Sequence, residues 1–268
     1  MNIQEFPRNA ILSSDGTRIA FTRAGNGPAL ILVHGTGADG ARWAGVLPLL
    51  VQHFTVYSID RRGHGASGDA AGYDVQREYA DIAAVAGAME GPVDILGHSF
   101  GAACALGAAP QIPNLRRLVL YEPPVLRAQQ MPQREELLRR MEGALEAGDR
   151  EAVVLILMNE MLRIPMAMIE KARATPDWAG QLAAAHTIPR ELRSSDAYTA
   201  DLEALRKITA KTLFLLGGAS QESFKVTTET LHGLLPDSQV VVLPDQQHSA
   251  MLTAPDLFAK EVISFLQS

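Results

Sequence analysis

Two kinds of apolar pattern alternate along the first half of the chain. Ala29–Val33, Phe54–Ile59, Val93–Leu96 and Leu115–Tyr121 are short apolar runs, and between them Ala41–Val51, Val75–Met89 and Ala102–Ala109 carry helical periodicity. Strands that read as continuous apolar runs are buried on both faces, so the alternation predicts a largely parallel sheet with helices on each side, an α/β architecture. Ahead of the first run, Ala10–Ser13 and Thr17–Thr22 flank an Asp15-Gly16 turn signal and predict a β-hairpin at the sheet edge. The alternation stops after Pro123-Pro124. From the charged segment Gln133–Glu146, through Val153–Met158, to Met161, Met166 and Met168, the chain reads as helix without a strand. The βα pattern then returns with strand Thr212–Leu216, helix Ser223–Leu234, strand Gln239–Leu243 and a last helix from Pro255, a residue suited to a first helical position. The expected organisation is a core of residues 1–123 and 201–268 carrying a helical cap insertion at 124–200.

Composition narrows the class. The chain has 268 residues, 47% of them hydrophobic and 20% charged, which fits one globular α/β unit with an insertion and a sizeable core. Its net charge of -6 is spread over interspersed acids and bases with no basic stripe, so a nucleic-acid partner is disfavoured. Cys104 is the single cysteine, which removes an intrachain disulfide framework and a zinc–thiolate cluster and makes a reducing cytoplasm the simplest location. Met1–Arg8 lacks the features of a secretory signal, and no apolar run approaches the roughly 18 residues of a membrane span.

Candidate chemistry begins at Gly97-His98-Ser99-Phe100-Gly101, directly after one apolar run and before a helical stretch. A serine on a tight strand-to-helix turn is held in a strained conformation with its hydroxyl exposed, and flanking glycines remove the Cβ atoms that would clash there. As a bare pentapeptide the pattern is weak; its setting gives it weight. His34-Gly35-Thr36-Gly37 ends the strand Ala29–Val33 and supplies a second turn. Acyl transfer passes through a tetrahedral oxyanion, and the two backbone N–H donors expected to face it are those of Thr36 and Phe100. His248, beyond the last predicted strand, suits the general base that accepts the serine proton and returns it to the leaving group. His53 and His232 read as surface residues, His186 lies in the cap, and His34, His64 and His98 belong to turn motifs.

With these motifs the sequence resembles the α/β-hydrolase superfamily, in particular its esterase-like serine hydrolases with a helical cap, over nearly the whole chain apart from the cap. The run Asp60-Arg61-Arg62-Gly63-His64-Gly65-Ala66-Ser67 looks like a turn of esterase-like and dehalogenase-like members, where it is mainly structural. The resemblance implies an eight-stranded, mostly parallel sheet, a cap over the pocket and a Ser-acid-His triad. Many members carry the acid after the strand corresponding to Thr212–Leu216, but here that loop reads Gly217-Gly218-Ala219-Ser220-Gln221-Glu222. Others carry it at the end of the preceding core strand, where this chain has Glu122. Glu122 is therefore the preferred acid, Glu222 the alternative, and Asp245, three residues from His248, a third choice.

The implied activity is hydrolysis of a carboxylic ester, with lactone or amide as variants, through an acyl-enzyme on Ser99. The alternatives are a carbon–carbon bond hydrolase or lyase on the same triad, and a non-catalytic binding module of the same fold. A serine at the elbow argues against haloalkane dehalogenase and epoxide hydrolase chemistry, which would need Asp there. In the cap, Met158, Met161, Met166 and Met168 are candidates to line an apolar pocket, although packing of the cap onto the core is the favoured account of most of them. Trp178 and His186 are candidates for substrate contact. The expected partner is a small molecule with an apolar acyl or alcohol part; no cofactor or metal is implied. Cys104 reads as a buried structural residue.

Overall fold

The computed structural model describes residues 6–125, 133–175, 177–197 and 202–268. Met1–Asn2-Ile3-Gln4-Glu5, Pro176 and the expected boundary between residues 200 and 201 lie outside them. Eight strands, β1 (Arg8–Leu12), β2 (Arg18–Ala24), β3 (Ala29–Val33), β4 (Thr55–Ile59), β5 (Val93–His98), β6 (Leu115–Tyr121), β7 (Lys211–Gly217) and β8 (Ser238–Leu243), form one sheet in the order β1-β2-β4-β3-β5-β6-β7-β8. β1 and β2 are the predicted edge hairpin; β2 is antiparallel to both its neighbours, and all other pairs are parallel.

The helices are α1 (Leu47–Leu50), α2 (Val75–Gly87), α3 (Phe100–Ala108), α4 (Arg134–Glu146), α5 (Arg150–Leu155), α6 (Met166–Arg173), α7 (Asp177–Ala183), α8 (Ile188–Ala197), α9 (Leu202–Arg206), α10 (Glu222–Leu234), α11 (Ala250–Thr253) and α12 (Pro255–Gln267). Successive residues of a strand point to opposite faces. Ile31 and Val33 of β3 accordingly pack with Tyr79, Ile82 and Val85 of α2 and with α3, whereas Leu30 and Leu32 pack with Trp43, Leu47 and Leu50 and with Phe258 and Val262 of α12. Burying each such side chain contributes about 1.5–3 kcal/mol, so both faces of the sheet are held by their helices.

Two departures from the sequence pattern bear on the site. The helix expected over Ala41–Val51 is split into a 3-10 turn, Gly40–Trp43, and α1. Pro48 has no N–H to bond back along a helix and sits in the first turn of α1, so a regular helix cannot run through it. In addition, β5 continues to His98 and α3 begins at Phe100, which leaves Ser99 alone to make the turn.

Between β6 and β7 the described residues form helices and turns and no strand. Leu137, Met141, Val153, Ile156, Trp178 and Ile188 of this insertion make an apolar cluster of their own. α5 passes into a π-helical turn, Ile156–Met161, a geometry that often marks a functional position. No helix among the described residues is long and apolar enough to cross a membrane.

Candidate active site

Ser99 has φ 54° and ψ -126°, a conformation outside the regions an L-residue ordinarily occupies. It is held there from both sides: its N–H donates to the Tyr121 carbonyl at the end of β6, and its own carbonyl accepts from Ala102 and Ala103 in the first turn of α3. α3 lies so close to β3 that a Cβ at Gly101 would sit 2.3 Å from the His34 carbonyl oxygen, so only glycine fits. The turn after β3 is equally close to the serine; a Cβ at Gly35 would lie 2.9 Å from Ser99 Cβ.

His248 follows β8 and is joined to Glu122, at the end of β6, by a 2.6 Å contact between Nδ1 and Oε2. Glu122 is fully buried, and with its carboxylate accepting from Nδ1–H the neutral imidazole has Nε2 as its acceptor. The other carboxylate oxygen, Oε1, accepts from the Gly217 N–H at 2.7 Å. Where the loop after β7 lacks a carboxylate, the last residue of β7 thus gives a backbone donor to the carboxylate of Glu122 at the end of the neighbouring strand. Around the imidazole, the Phe224 ring stacks with its centroid 4.4 Å away, and His98 Nε2–H donates to the His248 carbonyl at 2.8 Å. The Tyr121 hydroxyl donates to the Gln247 carbonyl and accepts from the Ala250 N–H, so the loop is clamped on either side of His248.

The donor side of the site is built on Arg61, which is 1% exposed. Arg61 N–H donates to His34 Nε2 at 3.0 Å, which leaves the His34 proton on Nδ1; that proton is donated to the Gly35 carbonyl at 2.9 Å. Burial holds the His34 imidazole far below its ordinary titration range, in keeping with this neutral form. Arg61 Nη2 also donates to the Gly35 carbonyl, at 3.2 Å. In a planar trans peptide the C=O and the following N–H point in opposite directions. Two donors on the Gly35 oxygen therefore fix the Thr36 N–H pointing away from Arg61. The guanidinium carbon also lies 5.0 Å from the centre of the Phe100 ring, so one buried cation contacts both turns that carry the expected oxyanion donors.

Arg61 is itself shared by Glu78 of α2 and Glu191 of α8, each 2.9 Å away. The Thr36 hydroxyl hydrogen-bonds to Glu191, and His64 Nε2 is 3.2 Å from the same carboxylate. The Asp60–Ser67 turn, expected to be structural, thus ties the insertion to the loop beside Ser99.

Ser99, His248, Thr36 and Phe100 line one cavity with Met158 and Met161 of the π-helical turn, and with Leu162, Ile164, Ile188 and Leu192. Other expectations are corrected. Trp178 does not line the cavity; it is buried in the insertion's apolar cluster, with Arg173 over its ring, because α7 turns its apolar face inward. His186 is paired on the surface with Asp69, and Met166 and Met168 are exposed. Glu222 is exposed in the first turn of α10, where a negative charge suits the helix dipole, and Asp245 is exposed in the turn after β8. Sequence reading missed Arg42, His98, Arg134 and Gln181, all of which line the cavity.

The model of the alpha/beta hydrolase family matches residues 30–261 of the chain. A solved alpha/beta hydrolase from Sphaerobacter thermophilus is similar with a TM-score of 0.82 and 34% identity, covering 96% of this chain and 100% of that one. The 2-(acetamidomethylene)succinate hydrolase of Mesorhizobium japonicum is 26% identical over 258 residues, 91% of this chain and 90% of its own length. The 2-hydroxy-6-oxo-6-(2'-aminophenyl)hexa-2,4-dienoic acid hydrolase of Metapseudomonas resinovorans is 28% identical over 266 residues, 95% of this chain and 89% of its own.

Proposed function

The chain belongs to the alpha/beta hydrolase family, and from that premise we propose that it is a serine hydrolase that cleaves a carbonyl compound, in the first reading a carboxylic ester, through an acyl-enzyme on Ser99. The observation that carries the reading is the 2.6 Å Glu122–His248 contact, which leaves His248 Nε2 as an acceptor on a cavity shared with Ser99. His248 Nε2 takes the Ser99 proton as Oγ attacks the carbonyl carbon, and the tetrahedral oxyanion is received by the Thr36 and Phe100 N–H groups. Collapse expels the leaving group with the proton from His248. Water, deprotonated by the same imidazole, then attacks the acyl carbon and releases Ser99. Glu122 keeps the imidazole in the required tautomer and stabilises its cation. The partner is a small molecule with an apolar body facing Met158 and Met161. A single buried cysteine, Cys104, fits a reducing cytoplasm.

A second reading, cleavage of an amide or a carbon–carbon bond by the same residues, is favoured by the two full-length relatives, whose names give an acetamido compound and an oxo-dienoic acid as substrates. The test is labelling by a fluorophosphonate probe together with turnover of p-nitrophenyl esters of increasing acyl length, in wild type and Ser99→Ala. Labelling and ester turnover, both lost in the variant, are expected. Labelling without ester turnover would move the weight to amide or carbon–carbon substrates. Absence of labelling in the wild type would sink the hydrolase reading in favour of a non-catalytic binding module.

A further inference from the structure

We infer that the cavity beside Ser99 is built for an anionic substrate, a carbonyl compound bearing a carboxylate, and that Arg42 receives that carboxylate. The inference rests on the serine-hydrolase reading and adds to it the charge of the substrate. Among the described residues, the charged side chains that line the cavity are Arg42 and Arg134, and no aspartate or glutamate lines it. Both arginines share the cavity with an apolar stretch that includes Leu157, Met158, Met161, Leu162 and Ile188. Arg134 is anchored to the insertion, with Nη2 donating to the Leu192 carbonyl at 3.0 Å. Arg42 comes from the core, on the 3-10 turn that follows the Thr36 loop.

Arg42 also lines a smaller outer cleft with Ala38, Asp39, Asp177, Gly180 and Gln181, so its side chain stands in the partition between the two spaces. The acids of that cleft act on it only at a distance, and no described carboxylate is in ion-pair contact with it. Asp39 has its Oδ1 engaged by the Ala41 N–H. Burial lowers the Arg42 guanidinium from its ordinary value, only partly opposed by Asp177 and Asp39. A partly buried guanidinium that borders the cavity is matched by a planar carboxylate, which can take two parallel N–H bonds from it. A neutral ester would make no charge-assisted contact with Arg42, and a cationic one would be repelled by both arginines. The apolar body and the carboxylate thus belong to one ligand, with its carbonyl at Ser99.

The test compares p-nitrophenyl monoesters of aliphatic diacids, from succinic to suberic, with neutral p-nitrophenyl esters of the same acyl length. Wild type, Arg42→Gln and Arg42→Lys are assayed, each normalised to the fraction of Ser99 that a fluorophosphonate labels, so that misfolded protein is not counted. A charge-assisted contact predicts that wild type prefers the charged ester in kcat/KM by about 10- to 100-fold at the length that spans Ser99 and Arg42. That ratio should fall at least about 10-fold in Arg42→Gln and be partly kept in Arg42→Lys. No preference at any length, or a preference that survives Arg42→Gln, would overturn the inference. If neither ester turns over, the hydrolase reading is what has failed, and calorimetric binding of the free diacids to Ser99→Ala decides the anion site alone. Binding that is lost with Arg42→Gln supports it, and no binding overturns it.

Discussion

Glu122 combines complete burial with a φ of 48°, a left-handed conformation that costs a non-glycine residue roughly 1–3 kcal/mol and persists only where the surroundings impose it. Here they do so through the Glu122 N–H on the Leu215 carbonyl and through Gly217 and His248 on the two carboxylate oxygens. Glu122→Gln keeps the shape but replaces the acceptor facing Nδ1 with an amide and removes the charge that stabilises the imidazolium. Turnover is expected to fall by about three to four orders of magnitude, by the logic of a mis-set imidazole tautomer. Glu222→Gln, at an exposed helix start, should change it little; steady-state kinetics of the two variants on one substrate checks the ranking, and the reverse order would reassign the acid. That Ser99, His248 and Glu122 could meet was legible in the sequence because Ser99 and Glu122 directly follow apolar runs and His248 lies in the loop after another. Arg42 was not, since the direction of its side chain is set by a 3-10 turn that the helical periodicity of Ala41–Val51 conceals.

At the scale of elements, α8 does more than cover the cavity. Its Glu191 is fully buried and meets Arg61 across 130 positions of sequence, and Arg61 in turn holds the Gly35 carbonyl and underlies Phe100. The insertion, α2 and the turn after β3 therefore share one buried cation. Glu191→Ala leaves Arg61 paired with Glu78 but strips the Thr36 hydroxyl and His64 of their buried acceptor, so it is expected to destabilise the protein by about 1–3 kcal/mol, read as a lower urea midpoint. Glu191→Gln, which preserves volume, should cost less stability yet still lower kcat, because the Thr36 hydroxyl and Arg61 lose the anion that fixes them. A Glu191→Gln protein with unchanged kcat would mean that the Thr36 loop is held without α8. The Asp60–Ser67 turn was readable as a motif, but its partner in the insertion lies in a segment whose helical pattern carries no mark of what it touches. For the same reason Trp178 was expected at the substrate; on a helix with both apolar and polar positions, sequence does not say which neighbour the apolar side meets.

Across the whole molecule, the sheet was legible because burial on both faces writes itself as short, largely apolar runs, and the insertion because the alternation of such runs with helical segments stops between Tyr121 and Thr212. We propose that the chain divides into a core of residues 1–123 and 201–268 and a cap of residues 124–200. What the sequence does not show is how buried charge is balanced where the two parts meet. Arg61 supplies one positive charge against two buried carboxylates, Glu78 and Glu191. Burial pushes Glu191 up, but Arg61, His64 and the Thr36 hydroxyl outweigh it and hold Glu191 below its ordinary range. Glu78 is pushed up to about 7, by burial first and then by the charge of Glu191, against the pull of Arg61. Its Oε2 has no hydrogen-bond partner among the described residues. The folded state therefore binds a proton at Glu78 that the unfolded chain, titrating near 4.5, has released. Such a group contributes stability that is complete below about pH 4.5 and is lost as pH rises through 7. Glu78→Gln cannot ionise, so its unfolding free energy relative to wild type should rise by up to about 3 kcal/mol between pH 4.5 and 7. Urea denaturation of both proteins at about pH 5 and about pH 8 measures this directly. Parallel behaviour at the two pH values would mean that Glu78 stays ionised in the folded protein, and that Arg61 alone balances both carboxylates.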